Sequence, residues 1–152
     1  MTHTFVDDVF EIVPHRARGY QKIDGRVKNA SLMDSSYKIP GGGYVTTAED
    51  LVRFAQALWD GKLLKPGTVA QMWVASKASG KDGYGLGFQV LENGRFVMHS
   101  GAQPGTTTRL FLIPQAHFAL AVLANMDNVQ LGELVRSIVQ QMQQPYPAAQ
   151  LH

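Results

Sequence analysis

The strongest constraint on this chain lies between Tyr84 and Asn125, where apolar residues run almost unbroken and only short polar breaks divide them. "YGLGFQVL" and "RFVMHS" flank Glu92-Asn93-Gly94. Asn-Gly between apolar runs signals a hairpin, because both residues tolerate the positive φ that a tight turn demands. "TTTRLFLIP" and "FALAVLAN" form a second pair, joined at Pro114 to His117. Strands joined by such short breaks run antiparallel, and strands apolar on both sides need cover on both faces. The expectation is an α+β fold: an antiparallel sheet of about three to five strands with packed helices.

The covering helices can be read on either side of this block. In "IPGGGYVTTAEDLVRF", Thr47 stands three residues before Asp50, a capping-box-like start with acid favoured by the helix dipole. Leu51, Phe54, Ala55 and Leu58 follow at helical spacing, and Gly61 is a natural stop. A shorter helix begins at Pro66 and places Val69, Met72 and Trp73 on one side. "NVQLGELVRSIVQQM" reads as an amphipathic helix with Leu131, Leu134, Val135, Ile138 and Met142 in one stripe. Asp127 or Asn128 is its expected cap, and Pro145 and Pro147 its expected end. The reading is one domain over residues 1–152: 1–46 irregular with one hairpin at Asp24-Gly25, 47–75 two helices, 84–125 antiparallel strands, and 128–144 the last helix.

Composition narrows the function classes. At 152 residues, with 45% hydrophobic and 17% charged residues, the chain can bury a core of its own. A net charge of +2 from scattered basic residues gives no nucleic-acid footprint. The absence of cysteine excludes disulfides, thiol catalysis and zinc–cysteine sites. No apolar run approaches the roughly 20 residues of a membrane span. "MTHTFVDDVF" lacks the order of a signal peptide. His3, His15, His117 and His152 lack metal-ligand spacing, and the glycines of "GYGLG" open a strand rather than a helix, where a phosphate cradle would need one. No metal or cofactor is expected. Trp59 and Trp73 lie on helix faces suited to core packing.

His99-Ser100-Gly101 is the candidate site. Gly101 would let a ligand approach the strand backbone, and the next peptide N–H, at Ala102, could act as an oxyanion donor. His99 offers positive charge or a proton relay, and Ser100 a hydrogen bond to a substrate carboxylate or carbonyl.

With "GGGYVTTAEDLVRFAQAL", "GYGLGF", "HSGAQPG", "RLFLIP" and "ALAVLAN" in this order and spacing, the chain resembles the C-terminal half of the serine β-lactamase and penicillin-binding-protein-like family, in particular class C β-lactamases and their esterase relatives. The resemblance implies a partial β-lactamase/transpeptidase-like fold and hydrolysis of amides or esters through an acyl-enzyme. It makes His99-Ser100-Gly101 the counterpart of the family's third motif, with Ser100 and Gly101 meeting substrate and the Ala102 N–H completing the oxyanion hole. It also implies a small acyl substrate for a completed site; the family is often periplasmic or secreted, and the compartment of this chain stays open.

The departures bear on activity. The family's nucleophile belongs to a Ser-x-x-Lys motif at a helix start. The one such spacing here, Ser35 to Lys38, runs straight into Ile39, Pro40 and three glycines. No helix can then hold Lys38 as the base for Ser35. No Tyr-x-Asn triplet occurs. Two readings follow: a hydrolase fragment, inert without a missing N-terminal half, or a non-catalytic remnant that binds ligand or protein or self-associates as a homo-oligomer through an exposed sheet edge.

Overall fold

The computed structural model describes residues 1–76 and 82–143. The proline stop expected at Pro145 and Pro147, and the last residue of the helix expected over 128–144, lie outside them. Nine strands and three α-helices are present among the described residues: β1 (Phe5–Val6), β2 (Tyr20–Ile23), β3 (Arg26–Asn29), β4 (Tyr44–Val45), α1 (Ala48–Trp59), α2 (Pro66–Met72), β5 (Gly83–Tyr84), β6 (Gln89–Leu91), β7 (Phe96–Gln103), β8 (Thr106–Ile113), β9 (Phe118–Ala124) and α3 (Leu131–Gln143). The last five strands form one antiparallel sheet in the order β5-β6-β7-β8-β9, and β1 with β4 and β2 with β3 make two small pairs.

The sheet is covered on both faces, as strands apolar on both sides require. Side chains alternate across a strand, so Val97, Leu110 and Leu112 point to one face and Met98 and Phe111 to the other. Ala55 and Leu58 of α1 and Val69 of α2 bury the first group, with Phe88 and the two tryptophans packed beside them. Val135 of α3 buries the second, with Phe96, Leu120 and Val122 around it. Leu112 and Val97 are wholly buried.

The Thr47 cap forms: its side chain accepts from the Asp50 N–H at 3.1 Å. The same helix ends in a Schellman motif. Gly61, at φ 67°, donates to the Leu58 carbonyl and Lys62 to the Ala57 carbonyl. Asp24 and Gly25 form the two-residue turn between β2 and β3, both with positive φ.

Three local expectations are corrected. "YGLGFQVL" is two strands, β5 and β6, folded back on each other by a turn in which Gly85 donates to the Phe88 carbonyl at 2.8 Å. The cause is packing: a Cβ at residue 85 would lie 2.1 Å from the Met72 carbonyl oxygen, so the turn rests on the end of α2. The Asn93-Gly94 connection is a four-residue loop rather than a two-residue turn, since Leu91 pairs with Phe96 and Glu92 through Gly94 all adopt positive φ. Finally, α3 presents Leu131, Val135 and Val139 to the sheet, while Leu134 and Met142 are exposed. Asp127 does not cap α3; its carboxylate takes the Gly105 N–H of the β7–β8 turn.

Candidate active-site wall and the family it defines

The site residues sit on the last half of β7. Gln103-Pro104-Gly105-Thr106 makes a two-residue hairpin to β8, with Gly105 at φ 77°. In such a hairpin the closing pair, Gln103 and Thr106, exchanges both hydrogen bonds, and bonded and non-bonded pairs then alternate along the strands. Ala102, opposite Thr107, and Ser100, opposite Arg109, therefore turn their peptide groups away from β8. On that other side β6 reaches only to Met98, opposite Gln89. Beyond it the edge of β7 has no strand partner among the described residues, and the Ala102 N–H faces this open edge. His99, Ser100 and Ala102 are all exposed there.

Gly101 has a second role besides the backbone access expected of it. A Cβ at this position would lie 2.8 Å from the Thr108 hydroxyl across the pair, so any side chain here would make Thr108 shift. The His99 ring meets Tyr84 of β5 edge to face, with centroids 6.5 Å apart. Ser100 projects to the α3 side, where its hydroxyl accepts from Nε of Arg109 at 3.1 Å.

Ser35 and Lys38 occupy a 3-10 turn, Ser36–Lys38, and do not form a nucleophile–base pair. The Ser35 hydroxyl donates to Oε1 of Gln103 at 3.2 Å, and Nζ of Lys38 donates to the same oxygen at 3.4 Å. Ser35 is 2% exposed, which leaves no approach for a carbonyl carbon to its oxygen. Gln103 also donates through Nε2 to the Gly42 carbonyl at 3.0 Å, fastening the end of β7 to the glycine-rich turn.

Reading the residues one by one misses both Gln103 and Arg109. Gln103 acts through partners more than sixty residues away in sequence. Arg109 had one visible signal: it is the sole charge in the apolar run "TTTRLFLIP". No group of three or more metal-ligating side chains occurs among the described residues, and no helix is long and apolar enough to cross a membrane.

This sheet, with its helical covers on both faces, is that of the β-lactamase and penicillin-binding-protein-like fold. The chain belongs to the Beta-lactamase family, whose model matches residues 1–140. It is 28% identical over 145 residues to PbpX of Bacillus subtilis (strain 168), a protein named among the penicillin-binding proteins; the match covers 95% of this chain and 36% of that one. It is 25% identical over 146 residues to the human serine beta-lactamase-like protein LACTB, mitochondrial, covering 76% of this chain and 27% of the relative. The octameric penicillin-binding protein homologue from Pyrococcus abyssi superposes with a TM-score of 0.77 at 19% identity, over 93% of this chain and 34% of that one, a likeness of fold. The chain thus spans about a third of the length of the curated relatives it matches.

Proposed function

We propose that this chain supplies one wall of a serine-hydrolase site for amide or ester carbonyls. The open edge of β7 at Ala102 is the observation that carries the reading. In the reaction proposed, a serine oxygen from outside this chain attacks the carbonyl carbon, and the π electrons move to the carbonyl oxygen. The Ala102 N–H donates to that oxyanion. Collapse expels the amine or alcohol with a proton and leaves an acyl-enzyme, which water then hydrolyses. Ser100 and Gly101 hold the substrate beside the strand, and His99 serves as a positive or proton-relaying group. The chain alone is inert in this reading, because Ser35 of its one Ser-x-x-Lys spacing is buried and both Ser35 and Lys38 are committed to Gln103.

A chromogenic β-lactam and a p-nitrophenyl ester, each followed by intact-mass analysis, test this. No turnover and no adduct are expected. An acyl adduct on Ser35 or Ser100 would overturn it.

A second reading, self-association, is favoured by the outer edge of β9, which no strand covers among the described residues. Phe10, Ile12 and Leu32 are also each about nine-tenths exposed. The archaeal homologue is described as octameric. Covering such an edge with a second copy would satisfy its unpaired peptide groups.

A further inference from the structure

The chain's excess of positive charge sits in one hairpin. Between Ala17 and Asn29 stand Arg18, Lys22, Arg26 and Lys28 against the single acid Asp24, a net +3 where the whole chain carries +2. The remaining residues therefore sum to −1. All four cations are exposed, and none of them enters an ion pair among the described residues. Asp127 lines the same cleft as Lys22, but its carboxylate is committed to the Gly105 N–H.

The hairpin is fastened at its base and free at its tip. Tyr20 donates to the Asn125 carbonyl at 2.9 Å and accepts from the Asp127 N–H at 3.1 Å, while Ala30 donates to the Gly19 carbonyl at 3.0 Å. A Cβ at Gly19 would lie 2.9 Å from Gly105, so the base also packs against the β7–β8 turn. From Lys22 to Asn29 every residue is exposed, and a Cβ at Gly25 would meet nothing within 4 Å. Register sets the two faces: Lys22 stands opposite Val27 on one, and Ile23 opposite Arg26 on the other, with Lys28 beside them. Each face thus joins a cation to a β-branched apolar residue, Val27 at 60% and Ile23 at 38% exposure. Charges on an edge strand commonly guard against pairing, but a guard gives no reason for bare Ile23 and Val27 beside the turn.

We infer that the β2–β3 hairpin docks on an anionic bilayer surface. Negatively charged headgroups meet Arg18, Lys22, Arg26 and Lys28, and Ile23 and Val27 enter the boundary between headgroups and acyl chains. The long stems of Lys and Arg let their charges stay among the headgroups as the tip enters. A nucleic acid offers the same phosphate charge but no apolar layer, so the two tip residues favour lipid. The hairpin contains no residue of the proposed hydrolase wall, and either reading can fail without the other.

The test is flotation of the 152-residue chain with vesicles, in which bound protein rises and aggregate sinks. One set is phosphatidylcholine alone, and the other holds about one-third phosphatidylglycerol to give a negative surface. At about 0.1 M salt the chain should float with the anionic vesicles and not with the neutral ones, and about 1 M salt, which cuts the screening length to about 3 Å, should release most of it. A Lys or Arg near such a surface is worth about fivefold in binding, so Lys22→Gln, Arg26→Gln and Lys28→Gln together should weaken it about a hundredfold. Lys62→Gln, Lys65→Gln and Arg95→Gln together remove the same charge elsewhere and should stay within a few-fold of the parent. Ile23→Ser with Val27→Ser should weaken binding severalfold while keeping its salt dependence. All of these positions are exposed, and circular dichroism checks that each variant is folded. An equal loss in the two triple variants overturns the hairpin's role, and a serine variant that binds like the parent overturns the entry of its tip. Equal flotation with both vesicle types overturns the proposal, as does capture by a short DNA duplex without flotation, or no flotation at all.

Discussion

Asp50 joins the N-terminal stretch to α1. Its carboxylate is fully buried and accepts from the His3 N–H at 2.8 Å, the Thr4 hydroxyl at 2.9 Å, Arg53 at 3.2 Å and the Thr2 N–H at 3.4 Å. Burial works to raise its pKa, but the donors from His3, Thr4, Arg53 and Thr2 together outweigh it and hold the group at about 2. The folded value lies below the ordinary value of about 3.9, so the ionised form is bound more tightly in the native state. Its contribution to stability is complete above about pH 4 and is lost as pH falls toward about 2. Thermal melts across that window should show the loss, and Asp50→Asn should be less stable near neutrality while losing this part of the acid dependence. Asp34, lowered by the Ser36 hydroxyl and N–H, titrates in the same direction, so the difference between parent and variant isolates Asp50. A glycine gives a second prediction at this scale. Gly85→Ala would push a methyl into the Met72 carbonyl, and urea unfolding should register a loss of about 1–3 kcal/mol, the usual cost of overpacking.

At the scale of elements, sequence reading succeeded where a signal acts on its own neighbours. The Thr47 cap, the Gly61 stop and the Asp24-Gly25 turn all close hydrogen bonds within a few residues, and all three stand where the pattern places them. It failed where a distant contact decides. The split of "YGLGFQVL" depends on the end of α2, and the inward face of α3 depends on where the sheet's Met98 and Phe111 stand rather than on the helix's own stripe. The site divides in the same way. His99 through Ala102 was legible as a contiguous motif, whereas Gln103 matters only because the fold brings Ser35, Lys38 and Gly42 to it. Gln103→Leu keeps similar bulk but leaves the buried Ser35 hydroxyl without its acceptor, which costs about 1–3 kcal/mol. Urea unfolding should show that loss. Amide exchange should quicken over residues 35–43 while Val135 and Val139 keep their protection; uniform acceleration across both regions would deny Gln103 its local role.

At the scale of the whole molecule, the two halves of the sequence are unequally supported. Residues 48 to 143 hold nearly all of the buried apolar side chains, while the first 47 contribute only Ala30 and leave Phe10, Ile12 and Leu32 in solvent. The sheet meanwhile ends on β9, and the register identifies which of its groups face outward. Tyr20 donates to the Asn125 carbonyl from outside the sheet, so Asn125 faces away from β8, and stepping back by twos so do Leu123 and Ala121. A proline at residue 121 therefore removes an outward donor without breaking the β8 ladder, the way natural edges are protected from pairing. If self-association proceeds through this edge, light scattering at micromolar concentration should find the parent chain as a dimer or larger and Ala121→Pro shifted to monomer. Circular dichroism of the variant checks that the sheet persists. A monomeric parent removes the self-association reading outright. An oligomer that survives Ala121→Pro with the sheet intact moves the contact away from β9, toward the exposed apolar residues of the N-terminal stretch.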